Sequence, residues 1–169
     1  MVNEIKLRRS VRKYSDKVIS ESDMLEIIEA ACMAPSAMNQ QPWRFKIASD
    51  PETKKKVAHS FLTTKFTDKA SHIVLYLMDT KCIVPGMAPM DVASAVTISL
   101  LEAQNKGIGS CWCGVWPNEK RMEKCKEIFD IKEKRYVPMA LVAFGYPKDE
   151  EKDEKKTFIA DKITSLEGE

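Results

Sequence analysis

Two short stretches concentrate the side chains that could do chemistry. Lys6-Leu-Arg8-Arg9-Ser10-Val-Arg12-Lys13 holds five cations in eight residues, with no acid among them. An arginine offers phosphate oxygens a planar fork of donors, and a serine hydroxyl adds one more, so this stretch could clasp a phosphate. It could equally be a solvated basic face at the end of a first helix. The second stretch is Ala34-Pro-Ser-Ala-Met-Asn39-Gln40-Gln41-Pro-Trp43. Its side-chain amides supply the paired donors and acceptors that read the edge of a heterocycle. The plainer alternative is a connecting loop whose Trp43 belongs to the core.

Other chemistries are missing. The two histidines, His59 and His72, do not stand at zinc spacing with cysteines or carboxylates. There is neither a nucleophile elbow nor a glycine-rich phosphate loop. Gly107-Ile-Gly109 begins like a dinucleotide fingerprint, but the third glycine position is Trp112, and the motif precedes a strand instead of following one. Cys111-x-Cys113 puts two thiols on one strand face with no second pair to complete a metal site. They read as small buried side chains.

The elements that must position these residues follow from periodicity and caps. Ser20-Glu-Ser-Asp23 has the form of a capping box before Met24, Ile27, Ile28 and Ala31, an amphipathic helix that Pro35 stops. Trp43 to Ser49 alternates as a half-buried strand. Asp50-Pro51 opens a helix carrying Val57, Phe61 and Leu62. His72–Met78 is almost continuously apolar and reads as a strand covered on both faces. Asp91 is placed as the cap of a long helix with small residues at Ala93, Ser94 and Ala95, ended by Gly107. A short strand at Ser110–Val115, a helix from Pro117-Asn118 and a buried strand at Tyr136–Phe144 complete the core. Residues 148–156 are all charged and read as a solvated loop, followed by a C-terminal arm over 157–169. Strands alternating with helices under one core predict an α+β or α/β sandwich.

With 169 residues, one domain spanning 1–169 is the natural size. A net charge of +2 is too small to signal nucleic acid or anionic lipid, and only Tyr14 adjoins the basic stretch, where a nucleic-acid module would interleave aromatics. No apolar run approaches the roughly 20 residues of a membrane span. The N-terminal residues lack the apolar core of a signal peptide. An odd count of five scattered cysteines fits a reducing compartment, so a cytoplasmic protein is expected.

Taken together and in this order, Arg-Arg-Ser-Val-Arg followed by Ala-Pro-Ser-x-x-Asn-x-Gln-Pro-Trp resembles the opening of the nitroreductase family of FMN-dependent oxidoreductases. Asp91 leading into Gly-Ile-Gly-Ser-Cys-Trp-Cys-Gly114, the strand ending in Gly145-Tyr-Pro147, and Lys155 and Lys156 extend the resemblance over essentially the whole chain.

The resemblance implies an α+β three-layer sandwich, a mixed sheet flanked by helices, working as a homodimer with FMN at the interface. It implies that Arg8 and Ser10, with Arg9 nearby, hold the FMN phosphate and that Arg12 approaches N1 and O2 of the ring. Pro35, Ser36, Ala37 and Asn39 would line the flavin of the other protomer. Trp112, Cys113 and Gly114 would run past the ring, with the Gly114 N–H facing N5. Lys155, or Lys156 beside it, would be a second phosphate cation. The implied activity is hydride transfer from NADH or NADPH through FMN to a small acceptor, a nitroaromatic, quinone or flavin, with no catalytic acid–base residue. The connection Thr80–Met90 is short, so any lid over the pocket is small or mobile. A flavin-binding sensor or storage protein without turnover would carry the same motifs, and bleaching by nicotinamide separates the two.

Overall fold

The computed structural model describes residues 2–149. The elements in chain order are α1 (Asn3–Leu7), α2 (Glu21–Cys32), β1 (Trp43–Ala48), α3 (Pro51–Ser60), β2 (His72–Asp79), α4 (Ala88–Asn105), β3 (Gly109–Gly114), α5 (Glu119–Ile128) and β4 (Tyr136–Gly145). The strands form one sheet in the order β1-β2-β4-β3. The outcome is the α+β layering foreseen. Among the described residues each strand pairs antiparallel with its neighbour. The parallel component is a single bridge, Ser10 to Ser110, because the N-terminal segment soon leaves β3 and bridges Pro147 at Tyr14.

Side-chain alternation along β2 explains why its run is apolar throughout. Val74, Tyr76 and Met78 enter the core shared with α2 and α4. Ile73, Leu75 and Leu77 enter the core on the opposite face, where Val57 of α3 and Cys125 of α5 pack. Every residue of β2 is buried. One polar group enters this interior with its partner: the Tyr76 hydroxyl donates to Ser99 Oγ at 2.7 Å, and Ser99 donates to the Val96 carbonyl at 2.6 Å. Burial pushes the Tyr76 hydroxyl far above its ordinary pKa, so it stays a donor.

Three helix starts carry the caps their sequences predict. Ser20 Oγ accepts from the Asp23 N–H at 3.1 Å, Asp50 Oδ1 from Thr53 at 2.8 Å, and Asn118 Oδ1 from Arg121 at 3.0 Å. The fourth start differs. Helix α4 begins at Ala88, with proline in its first turn, so Asp91 lies inside the helix and does not cap it. Pro89 lacks the N–H that a first turn leaves unmatched, so the helix can begin ahead of Asp91. The Asp91 carboxylate is thereby free to bind something else.

Candidate functional site

The basic segment becomes an extended arm laid along the free edge of β3. The Val11 N–H donates to the Ser110 carbonyl at 2.9 Å, and the Ser15 N–H donates to Tyr146 O at 2.8 Å. Val11 and Tyr14 turn inward and are buried, while Ser10 and Arg12, on either side of Val11, stay exposed. That is the alternation of an extended chain, and it puts the Ser10 hydroxyl and the Arg12 guanidinium on the open side. Arg8 and Arg9 precede them, half-buried.

Two paired glycines let the arm come this close. Gly109 and Gly145 face each other across β3 and β4. A Cβ on Gly109 would meet the Val11 side chain at 2.7 Å, and one on Gly145 would meet the Tyr14 ring at 2.7 Å. The notch they leave holds both anchoring side chains. The Tyr14 hydroxyl then donates into the pair of carbonyls at Val11 (2.7 Å) and Ala143 (3.2 Å). From sequence, Gly107 ends a helix and Gly109 belongs to a failed fingerprint and to the family-like run up to Gly114, none of which points to the arm. A glycine within a strand is the signal of close backbone approach, and it was available.

Beyond the arm, the edge of β3 is open. Since the Ser110 carbonyl points to the arm, strand alternation sends the backbone groups of Trp112 and Gly114 the same way. The Gly114 carbonyl accepts from Arg121 Nη1 at 2.7 Å, and Gly114 itself is exposed. The Trp112 side chain packs against the α2–α4 core, and Cys113 lies in the opposite core. Trp112 and Gly114 contribute backbone to the open edge, while the Cys113 backbone faces β4. Cys111 and Cys113 share a face as predicted. The interaction between the two neighbouring thiols draws Cys111 down, helped by the Arg12 charge, and pushes Cys113 up, and the Cys113 thiol donates to the Thr63 carbonyl at 3.7 Å.

The amide-rich segment forms a tight loop with Met38, Asn39 and Gln41 in the left-handed region at φ 51°, 51° and 46°. Such conformations are costly for side chains with a Cβ and persist only under outside support. Ser36 Oγ accepts from the Gln41 N–H at 3.0 Å, Gln41 Nε2 donates to Asn39 Oδ1 at 3.1 Å, and the Ala37 N–H donates to Asp91 Oδ1 at 3.0 Å. Pro35 is exposed beside them.

The candidate residues thus fall into two groups. Arg8, Arg9, Ser10, Arg12 and the 112–114 backbone gather at the β3 edge. Pro35, Ser36, Ala37 and Asn39 sit beside β1, at the other edge of the sheet. Three strand spacings of about 4.8 Å put roughly 14 Å of sheet between the two edges. Lys155 and Lys156, and the arm 157–169, lie outside the described residues. Asp91 and Gln40, which hold the loop, were not assigned that role from sequence; an acid inside an apolar small-residue helix was the available hint. Among the described residues no cluster of three or more metal-ligating side chains occurs, and no helix is long and apolar enough to cross a membrane.

Helices on both faces of this antiparallel sheet, with a basic arm on one edge, define an α+β protein of the nitroreductase fold. The model of the Nitroreductase family matches residues 5–83 and 83–146. The chain belongs to that family. A protein of Archaeoglobus fulgidus, named as a candidate NADH dehydrogenase/NAD(P)H nitroreductase, is 41% identical over 145 residues, 85% of this chain and 83% of the relative. A solved structure from Clostridium acetobutylicum, named as a candidate NADH oxidase, superposes with a TM-score of 0.90 at 30% identity, covering 98% of this chain and 99% of that one. A nitroreductase-like protein of Desulfovibrio desulfuricans, solved in complex with FMN, shares the fold at a TM-score of 0.83 and 23% identity, over 96% and 94% of the two chains.

Proposed function

We propose that this chain, acting as one domain and as a homodimer, is an FMN-dependent oxidoreductase carrying hydride from NADH or NADPH to a small acceptor. Nitroaromatics, quinones and flavins are the acceptor classes. The observation that carries the reading is the edge of β3: an open stretch of outward backbone N–H groups beside an arm of exposed and half-buried cations. The donor set fits FMN. Arg8 and Ser10, with Arg9, match a terminal phosphate monoester. Arg12, exposed next to the residue that bonds β3, matches the edge of an isoalloxazine that gains negative charge on reduction. The Gly114 N–H is an exposed donor of the kind that would meet a ring nitrogen.

Bound FMN would supply the hydride-accepting and hydride-donating chemistry; the chain's own residues bind, orient and stabilise charge. The wide separation of the two motif groups supports a site completed by the Pro35–Asn39 loop of a second copy. The FMN complex of the Desulfovibrio neighbour supports the cofactor assignment. Lys148 N–H donates to Lys13 O at 3.0 Å, so the chain runs on from beside the arm, which favours Lys155 or Lys156 as a further phosphate cation.

The test is the absorption spectrum of the purified protein followed by anaerobic titration with each nicotinamide. Stoichiometric FMN that bleaches is the expected result. Equal retention of FAD would remove the phosphate assignment, and a yellow protein that neither nicotinamide bleaches would make it a flavin binder without turnover.

A further inference from the structure

We infer that Gln40 is a positioning residue: it ties the 80–87 connection to the Pro35–Asn39 loop and so shapes the mouth through which an apolar, planar acceptor reaches the cofactor. The inference rests on the function proposed above.

Gln40 makes a two-point contact with the backbone of Val84. Its Oε1 accepts from the Val84 N–H at 2.7 Å, and its Nε2 lies 3.2 Å from the Val84 carbonyl. The same Nε2 donates to Asp91 Oδ2 at 2.6 Å. A carboxylate can only accept, so Asp91 fixes which end of the amide faces it and leaves Oε1 for Val84. Asp91 is a firm anchor. It is 7% exposed, in the first turn of the 18-residue α4, where the helix field favours a carboxylate, and its other oxygen holds Ala37. The tether therefore runs from the core helix through one amide to the connection.

Little else holds that connection. Thr80 and Lys81 are bonded near its start, and the Met87 N–H donates to Val84 O within it. Residues 85–87 run into α4, where the Ala88 N–H donates to Pro85 O, and Cys82 packs against the α2–α4 core; among the described residues, the side-chain hydrogen bonds that reach residues 82–87 from another element come from Gln40. What the tether presents is apolar: Ile83 is 69% exposed, Met38 74% and Met90 59%, with Met87 also open. Unbranched methionines adapt their shape to different flat ligands. The sequence expectation of a small or mobile lid becomes a small lid that runs into α4 and is tied by one side chain.

Two variants test this. Gln40→Ala should speed amide hydrogen exchange in the 82–87 segment about tenfold. It should also raise KM for p-benzoquinone about tenfold while kcat stays within about threefold. A merely destabilised protein would lose kcat through its inactive fraction and keep KM. Gln40→Glu should behave like Gln40→Ala at pH 8, where two carboxylates oppose each other, and recover at pH 5, where a protonated Glu can donate to Asp91 and accept from Val84. The charged groups around it are Asp91 and, in the same cleft, Arg44, Asp79 and Lys81. Unchanged exchange in Gln40→Ala overturns the tether. Faster exchange with unchanged KM, or no acid recovery in Gln40→Glu beyond the wild type's own pH response, overturns its role at the mouth. A protein without flavin overturns the function above, and the exchange result then decides the tether alone.

Discussion

Arg8 and Arg12 lie four positions apart in one arm, yet they should fail differently when replaced. In the proposed site, Arg8→Ala removes a fork that would meet a phosphate charged in every redox state. FMN affinity should drop by about 1.5–3 kcal/mol, the range for hydrogen bonds to charged groups, as read by flavin fluorescence titration. Arg12→Leu should cost less affinity for oxidised FMN but lower its reduction potential and slow reduction by NAD(P)H. Loss of one preorganised charge contact typically costs about 2–4 kcal/mol in the transition state. Stopped-flow bleaching and potentiometry read both quantities, and wild-type values with FMN fully bound would release Arg12 from this role. Away from the site, His72 is a pH-sensitive point of stability. Burial, then the nearby Lys54 charge, hold its pKa below the ordinary histidine value, so the folded state prefers the neutral ring. Its contribution is complete above the unfolded value near 6.5 and is lost as pH falls through the lower folded value. The urea midpoint of the wild type should therefore fall more between pH 7.5 and 5.5 than that of His72→Gln; parallel falls would show that His72 is not the group responsible.

The arm, the edge strand and the glycine notch act as one unit, and a single methyl group should separate them. Gly109→Ala would push a Cβ into Val11, against backbone that the Ser110 bridge holds close. The variant should keep its sheet by circular dichroism while losing FMN affinity about as severely as Arg8→Ala, although it removes no charge. Full FMN binding in a folded Gly109→Ala would mean that the arm's seat on β3 does not position the clasp. Much of this unit was legible beforehand: caps at Ser20, Asp50 and Asn118, the covered run of β2, and the basic motif all speak through local spacing. The notch was not, because it joins residue 11 to 109 and residue 14 to 145, and no local pattern records which strand an arm will cover. Asp91 misled for a related reason. Its residue type suits a helix start, but its partner is a loop more than fifty residues away. The antiparallel pairing among β1 to β4 was hidden likewise, since strand direction follows from connections, not from the strands themselves.

At the scale of the whole molecule, the proposed site draws its two motif groups from two chains. The FMN-bound protein should run as a dimer in light scattering, and a monomer retaining stoichiometric FMN would sink the shared site. The seating of the arm also has a temporal consequence. Tyr14 bonds Ala143, 129 positions along the chain, and Val11 bonds Ser110 on a strand that must itself first pair with β4. Closing so long a loop adds little to its entropic cost, which grows only with the logarithm of length, but contacts of such separation form slowly. Residues made early on the ribosome thus find their place late, once both ends of the sheet have emerged. The arm should therefore dock late in folding, since until β3 has paired with β4 it has no edge on which to lie.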